Sequence, residues 1–378
     1  MKALAVRESD EFEYLLRFLP EGWERKAKEL GALRRCRGVA DAQRLLRVLL
    51  IHLAEGCSLR ETAVLARAGG WAHLSDVAIL ERLRQAGEWF RWMNTELMRL
   101  WAPRRPELVY GGRWRVRLVD GTAVEEPGPT GSSWRLHYAV NLSSLACDQL
   151  LIAPPGGAGE SFRLYRIQPG DLLMGERAYG VPPGIAHVLK GQGHVLVRFA
   201  LSNLPLEDAR GRGFDLLGHL RQLRGAALGD WPVALPVKEG ALAGRVCAIK
   251  KSQAAAERAR KHVLRQGQKQ GLRPRPETLE AAGYTFLFTT LPQSALSAEN
   301  TLEGYRGRWQ IELVFKRLKS IIGLGHLHKT DPQSAVSWLH GKLFVAFLLE
   351  TCLRYAESFF PWGYPLRPPA SAQPLPVA

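Results

Sequence analysis

The chain has 378 residues, 46% hydrophobic and 23% charged, which is typical of an ordinary globular protein with two or three domains. It carries 52 Lys and Arg against 36 Asp and Glu, a formal net charge of +16. Such an excess favours a polyanionic partner, most simply nucleic acid, over the alternative of a merely basic surface.

The five cysteines are scattered, without a Cys-x-x-Cys pair or a Cys/His cluster, so neither a zinc module nor a disulfide framework is expected. The N-terminus lacks the shape of a signal peptide, and no apolar run reaches about 18 residues. The sequence therefore predicts a cytoplasmic protein with free thiols and no membrane span.

Residues 1–105 show helical periodicity and predict a helical N-terminal domain. Ser58, followed three residues later by Glu61, matches a capping box at a helix start. The segments SLRETA and SDVAILERLRQAGEWF are compatible with a helix-turn-helix-like unit or with a plain helical bundle. Pro103 and Pro106 mark the end of this domain.

Residues 106–200 predict the first part of an α/β domain. RWRVRLVDG alternates in polarity and predicts a strand that ends at Asp120, and RLHYAVNL and QLLIAP predict the next two strands. Taken alone, an Asp after a strand is most often a turn residue or a cap. GDLLMGERAYG predicts another strand, with Asp171 at its start and Glu176 at its tip.

Residues 201–282 predict an insertion subdomain, with strand-like pieces WPVALPV and GRVCAIKKS. The basic run that follows is either a solvated helix with a linker or a surface that contacts phosphates. Residues 283–360 predict the second part of the α/β domain, beginning with a strand in GYTFLFTTL. The proline-rich residues 361–378 predict a tail.

Residues 297–323 predict a single amphipathic helix with Ser297 as its N-cap. Tyr305, Arg308, Glu312 and Lys319 share one face of it. By itself such a stripe is usually a solvated face. The pattern Tyr-x2-Arg-x3-Glu-x6-Lys, within YRGRWQIELVFKRLKSIIGL, resembles the signature of bacterial insertion-sequence DDE transposases. The segments DGT, SSWRLHYAVNL, GESFRL and the N-terminal helical block also resemble that family.

The resemblance implies a ribonuclease H-like mixed sheet flanked by helices, with a β-containing insertion and a helical domain that binds transposon ends. It implies a catalytic and metal-binding set of Asp120, Glu176 and Glu312, holding two Mg²⁺ or Mn²⁺ ions. It also implies DNA contacts from four residues: Tyr305, Arg308, Lys319 and Arg177.

The second carboxylate departs from the family pattern, which usually has Asp-Arg-x-Tyr where this chain has Glu176-Arg177-Ala178-Tyr179. Glu keeps the charge and the oxygen ligands but adds a methylene, and Mg²⁺ demands near-ideal geometry. From sequence alone, activity is therefore open to question at Glu176, and Glu176→Asp is expected to raise cleavage.

The resemblance implies a transposase that moves an insertion sequence by cut-and-paste cleavage and strand transfer at terminal inverted repeats. Its partners would be double-stranded transposon-end and target DNA, bound by a homodimer that pairs two ends in the cytoplasm at the nucleoid. The alternatives are a repurposed relative that binds DNA without moving it, which Glu176 favours, and a stand-alone metal-dependent nuclease.

Overall fold

The computed structural model describes residues 11–101, 113–128, 131–328 and 331–358. Two compact units divide the chain. The first contains Met1–Trp101, Val124–Ser133 and Lys316–Ala378, and the second contains Ala102–Ala123 and Trp134–Phe315. The proline-rich tail and the prolines Pro103 and Pro106 lie outside the described residues.

One eight-stranded sheet runs in the order β3-β2-β1-β4-β5-β8-β7-β6. Its strands are β1 Arg115–Glu125, β2 Ser133–Asn141, β3 Cys147–Ala153, β4 Asp171–Gly175, β5 His194–Arg198, β6 Leu228–Val237, β7 Gly240–Lys250 and β8 Tyr284–Thr289. β1, β4 and β5 are parallel neighbours, whereas β2 with β3 and the β5-β8-β7-β6 half pair antiparallel. This mixed sheet flanked by helices is the predicted ribonuclease H-like α/β fold.

The strands of the insertion do not stand apart from the sheet. β6 and β7 form a long hairpin, and β7 pairs with β8 from Arg245 opposite Thr289 to Lys250 opposite Tyr284. The predicted strand in GYTFLFTTL is therefore confirmed as the strand that joins the insertion to β5. The hairpin shares the buried core of the sheet, since Leu235, Val246 and Phe288 are all fully buried.

The described helices lie before, between and after the strands. They are α1 Trp23–Glu29, α2 Ala42–Leu53, α3 Leu59–Ala68, α4 Asp76–Gln85, α5 Gly87–Trp101, α6 Pro182–Lys190, α7 Leu216–Gln222, α8 Gln253–Lys269, α9 Pro276–Ala281, α10 Ala298–Tyr305, α11 Trp309–Ser320 and α12 Pro332–Ser358. The predicted capping box is confirmed: Ser58 accepts from the Glu61 amide, and the Glu61 carboxylate accepts from the Ser58 amide.

Helix α12 is long and apolar because it forms the core of the first unit. By length and composition its residues Pro332–Ala356 could cross a membrane, which the sequence analysis did not anticipate. However, 61% of the apolar window is buried inside the protein. Phe344 lies against Phe90 of α5 with ring centroids 5.4 Å apart, so this part of the helix packs inside the first unit.

The prediction of a single helix over residues 297–323 is wrong. Ser297 is the N-cap as predicted and accepts from the Asn300 amide, but α10 ends at Tyr305. A 3-10 turn over Arg306–Arg308 follows, and α11 begins at Trp309. Gly304 and Gly307 explain the break, because glycine is about 1 kcal/mol less favourable than alanine inside a helix. Arg308 therefore projects from a tighter turn than regular helical spacing would give.

Candidate active site

Asp120 lies inside a strand and not at its end, which corrects the sequence prediction. β1 continues to Glu125 beside β2, whereas its parallel pairing with β4 runs only from Arg115 opposite Asp171 to Leu118 opposite Met174. Asp120 thus follows the last β1–β4 pair by two residues. β1 continues because β2 lies along its other side. The Asp120 carboxylate therefore lies near the end of β4.

Glu176 directly follows β4 and caps the 3-10 turn Arg177–Tyr179. Its Oε1 accepts a hydrogen bond from the Tyr305 hydroxyl at 3.2 Å, and Nη1 of Arg198 lies 3.4 Å from the same oxygen. Burial by itself would raise the pKa of Glu176, but the charges of Arg198 and Arg308, with hydrogen bonds from the Arg177 amide and Tyr305, lower it below the usual value. Glu176 is therefore held as an anion.

Arg308 brings the three predicted carboxylates together. Its Nε lies 3.2 Å from Oε1 of Glu176 and its Nη1 lies 3.5 Å from Oδ2 of Asp120. Its Nη2 is paired with Oε1 of Glu312, one helical turn further along the chain. The side chain of Arg308 is only 9% exposed, so these ion pairs are largely shielded from solvent. Three carboxylates from three separate elements thus converge on one guanidinium group.

The other predicted site residues occupy different environments. Tyr305 is buried, and its hydroxyl also donates to the Gly175 carbonyl at 3.0 Å, so it contacts the second carboxylate rather than open solvent. Arg177 is exposed beside Glu176. Lys319 is exposed near the end of α11, in the part of that helix that belongs to the first unit.

Asp120 sits in an environment rich in negative charge. Its pKa is raised to about 6, first by burial and also by the carboxylates of Glu160 and Glu176, against the opposing effects of the Gly121 amide and Arg308. Glu160 packs over the strand here, since a Cβ on Gly121 would come within 3.0 Å of its Cγ and Oε1. Desolvation and repulsion of this kind are relieved by a cation.

The donor set fits a hard divalent ion in chemistry, because Mg²⁺ and Mn²⁺ prefer carboxylate oxygens. Within the described ranges, no three His, Cys, Asp or Glu side chains form a ready metal cluster. The guanidinium of Arg308 is the group that contacts all three carboxylates. A bound ion would take its ligands from Asp120, Glu176 and Glu312 and share their negative charge with Arg308.

Sequence reasoning missed three residues of this site. Arg198 ends β5, the parallel neighbour of β4, so a charged residue at the same sheet edge as Glu176 was the available signal. Glu160 lay unremarked in the GESFRL segment. The Tyr165 hydroxyl, which lies 3.4 Å from the Asp120 carbonyl and 3.2 Å from the Tyr179 hydroxyl, gave no sequence signal.

Comparisons with known proteins show the family of the chain. Residues 112–348 match the family described as the transposase DDE domain. The proteins named as transposase InsL for insertion sequence elements IS186A and IS186B of Escherichia coli (strain K12) are each 33% identical over 348 residues, covering 90% of this chain and 93% of theirs. The transposase for insertion sequence element IS421 of Escherichia coli is 33% identical over 349 residues, covering 90% of this chain and 93% of its own. The chain therefore belongs to the transposase DDE domain family.

Proposed function

We propose that this protein moves an insertion sequence by cut-and-paste transposition, with Asp120, Glu176 and Glu312 as its catalytic carboxylates. The observation that carries the proposal is their convergence on Arg308 from β1, from the turn after β4 and from α11. Carboxylates that repel one another are brought together at a cost, and a site that transfers phosphoryl groups gains from such an arrangement.

Each chemical step would be an in-line phosphoryl transfer. In cleavage, a water oxygen attacks phosphorus, the bond from phosphorus to the 3′ oxygen breaks, and that oxygen gains a proton. In strand transfer, the freed 3′ hydroxyl attacks a target phosphodiester and loses its proton, while the target's own 3′ oxygen leaves. Two Mg²⁺ or Mn²⁺ ions, held by the three carboxylates, would stabilise the attacking and leaving oxygens.

The chain's own residues would position the DNA. The guanidinium of Arg308 is buried among Asp120, Glu176 and Glu312, with Nη1 3.5 Å from Oδ2 of Asp120, and it would neutralise a phosphate beside these carboxylates. Arg177 and Lys319 are exposed and would add phosphate contacts. Tyr305 would act chiefly by holding Glu176, with its hydroxyl near the same phosphate.

The substrate would be double-stranded DNA at the terminal inverted repeats, followed by target DNA. A homodimer would pair the two ends, with the N-terminal domain, residues 1–105, binding them. The insertion 201–282 would separate the two catalytic parts, 106–200 and 283–360, ahead of the tail 361–378. The protein would work in the cytoplasm at the nucleoid.

One alternative is a relative that binds DNA without moving it, and the observation that favours it is Glu176 where the family usually has Asp. Against this alternative, Glu176 is held by Tyr305, Arg198 and Arg308. Three partners on one carboxylate oxygen favour a functional role for Glu176.

An excision assay distinguishes an active transposase from a relative that binds DNA without moving it. The natural chain is expressed with a marker flanked by its own inverted repeats, and loss of the marker is measured. We expect excision that disappears with Asp120→Ala. No excision by the natural chain, with DNA binding retained, would favour the repurposed relative.

A further inference from the structure

Arg245 is a buried arginine of β7 that contacts the connection between β8 and α10. It lies opposite Thr289, the last residue of β8, and it is only 5% exposed. Its Nε donates to the Leu291 carbonyl at 2.8 Å, and its Nη2 donates to the Leu296 carbonyl. These two carbonyls lie near the two ends of residues 290–297, which join β8 to α10. One guanidinium group therefore holds both ends of this connection.

Asp230 of β6 compensates the charge of Arg245 inside the hairpin. Its Oδ2 lies 2.7 Å from Nη1 of Arg245, and the two side chains are 17% and 5% exposed. A buried ion pair is often no more stabilising than hydrophobic residues of similar volume. What it adds is direction, because the planar guanidinium holds its donors in a fixed fork. The main contribution of Arg245 is therefore to the course of the connection that it holds.

The same guanidinium reaches the first turn of α10. Nη2 of Arg245 donates to the hydroxyl of Thr301 at 3.1 Å, and that hydroxyl donates to the Ser297 carbonyl at 2.7 Å. Thr301 is fully buried, and its hydroxyl both accepts and donates a hydrogen bond. The start of α10 is thus fastened to the hairpin as well as to its own N-cap.

The other end of α10 meets the second carboxylate. Tyr305 follows Thr301 by four residues, so both side chains lie on one face of the helix, about 6 Å apart along its axis. The Tyr305 hydroxyl lies 3.0 Å from the Gly175 carbonyl oxygen and 3.2 Å from Oε1 of Glu176. A displacement at Thr301 would therefore be carried through one helical turn to Tyr305.

We infer that Arg245 is a positioning residue for the reaction. It holds the connection and Thr301, and through α10 it sets where the Tyr305 hydroxyl meets Glu176. It acts through Tyr305 and not on the reacting atoms. The inference rests on the proposed function for the reaction, but the contacts that carry it belong to the protein without DNA. The β6–β7 hairpin thereby contributes to the geometry of the second carboxylate.

The test compares two buried threonines with the same local surroundings. Thr301→Val removes the hydroxyl that accepts from Arg245 and keeps the shape of the side chain, whereas Thr301→Ser keeps the hydroxyl. The matched control is Thr62→Val in α3. Thr62 is also fully buried, lies four residues after a serine N-cap and donates to the Ser58 carbonyl at 2.8 Å. Both valine variants therefore lose the same hydrogen bond to an N-cap carbonyl.

The first readout is the ¹⁹F NMR spectrum of the whole protein without DNA, with 3-fluorotyrosine at its nine tyrosines. The resonance that disappears in Tyr305→Phe is assigned to Tyr305. We expect this resonance to move by more than its line width in Thr301→Val and to stay in place in Thr301→Ser and Thr62→Val. An unchanged resonance in Thr301→Val, or an equal change in Thr62→Val, would overturn the inference.

Arg245→Lys tests the arginine itself. Lysine keeps the positive charge beside Asp230 but lacks the fork that holds two carbonyls and a hydroxyl. We expect the Tyr305 resonance to move in this variant as well, and an unmoved resonance in the folded variant would overturn the inference. If Arg245→Lys does not fold, the comparison of Thr301→Val with Thr62→Val decides.

The second readout is single-turnover cleavage of inverted-repeat DNA. We expect Thr301→Val to cleave about tenfold more slowly or worse, with DNA binding within a few fold, because small errors of position cost this much in rate. When Tyr305→Phe is already present, Thr301→Val should cost less than about a further twofold, since both changes act on one contact. Equal losses in the presence and absence of Tyr305→Phe would overturn the inference.

The two readouts keep this inference separate from the proposed function. Cleavage by the natural chain, with an unmoved Tyr305 resonance in Thr301→Val, would refute the positioning role alone. A moved resonance, with no cleavage by the natural chain, would refute the proposed activity and support the link from Arg245 to Tyr305.

Discussion

The hydroxyl of Tyr305 donates a hydrogen bond to Oε1 of Glu176 across 3.2 Å, joining the helix α10 to the turn after β4. Arg308 and Arg198 lie 3.2 and 3.4 Å from that same oxygen. All three partners contact one oxygen of the Glu176 carboxylate, whose side chain is one methylene longer than that of Asp. Glu176 is thus bonded into its surroundings as a glutamate.

These contacts reverse the expectation that sequence alone gives for Glu176→Asp. A shorter side chain would withdraw the oxygen from Tyr305 and Arg198, and hydrogen bonds to charged groups are worth about 1.5–3 kcal/mol. We expect cleavage to fall by about tenfold or more, since each 1.36 kcal/mol of barrier is tenfold in rate. Single-turnover cleavage of inverted-repeat DNA measures this effect. Faster cleavage by Glu176→Asp would mean that the site still suits the shorter carboxylate.

Asp120 should make stability depend on pH in a defined direction. Its pKa is raised from 3.8 to about 6, mainly by burial, so its contribution to folding is fully present below pH 3.8 and is lost as pH rises through 6. We therefore expect Asp120→Asn in EDTA to be more stable than the natural chain at pH 7.5, by on the order of 3 kcal/mol. The difference should shrink steadily toward pH 4.5.

Urea denaturation at several pH values checks this prediction. Magnesium should stabilise the natural chain more than it stabilises Asp120→Asn, because the ion would bind the carboxylate. If Asp120→Asn were less stable than the natural chain by the same amount at every pH, the pKa of Asp120 would not be raised by folding.

Asp171 belongs to a buried ion network and not to the group of carboxylates around Arg308. It is fully buried, its Oδ1 lies 2.6 Å from Nε of Arg115, and its Oδ2 accepts from Nη1 of Arg117 at 3.2 Å. Arg117 also makes two 2.8 Å hydrogen bonds to Asp148. This arrangement fastens the starts of β1 and β4, away from the strand end that carries Glu176.

Breaking this network should cost stability. We expect Asp171→Asn to reduce the free energy of unfolding by about 3 kcal/mol, because it removes the buried counter-charge of Arg115 and leaves the buried Arg117 with Asp148 alone. The exposed pair of Glu303 with Arg306 offers a matched control, and Glu303→Gln should cost less than about 1 kcal/mol. Equal urea midpoints for the two variants would contradict this structural role.

The sequence predicted the elements that local rules determine. The strands β2, β3 and β8 and the caps at Ser58 and Ser297 follow from alternation and from hydroxyl-to-amide bonding, which act over a few residues. The break at Arg306–Arg308 was missed because helical periodicity continues through it, although two glycines marked the weak point.

The relations between distant residues could not be predicted from such rules. The strand β1 continues past Asp120 because β2 lies beside it. This continuation depends on sheet pairing and not on the residues near Asp120. Arg198 and Glu160 approach the site only once β5 and the loop before β4 are in place. The role of Arg308 as common partner of three carboxylates likewise emerges from the fold, since its sequence pattern alone describes a solvated stripe.

The substitution Glu312→Gln tests most directly whether the carboxylates around Arg308 perform the chemistry. The matched control is Glu303→Gln, an exposed glutamate nine residues earlier on the neighbouring helix α10. Cleavage of inverted-repeat DNA in Mg²⁺ and anisotropy binding to the same DNA are measured for both. We expect Glu312→Gln to reduce cleavage by at least about a thousandfold while binding stays within a few fold, and the control to keep both. Cleavage by Glu312→Gln at the rate of the natural chain would contradict it.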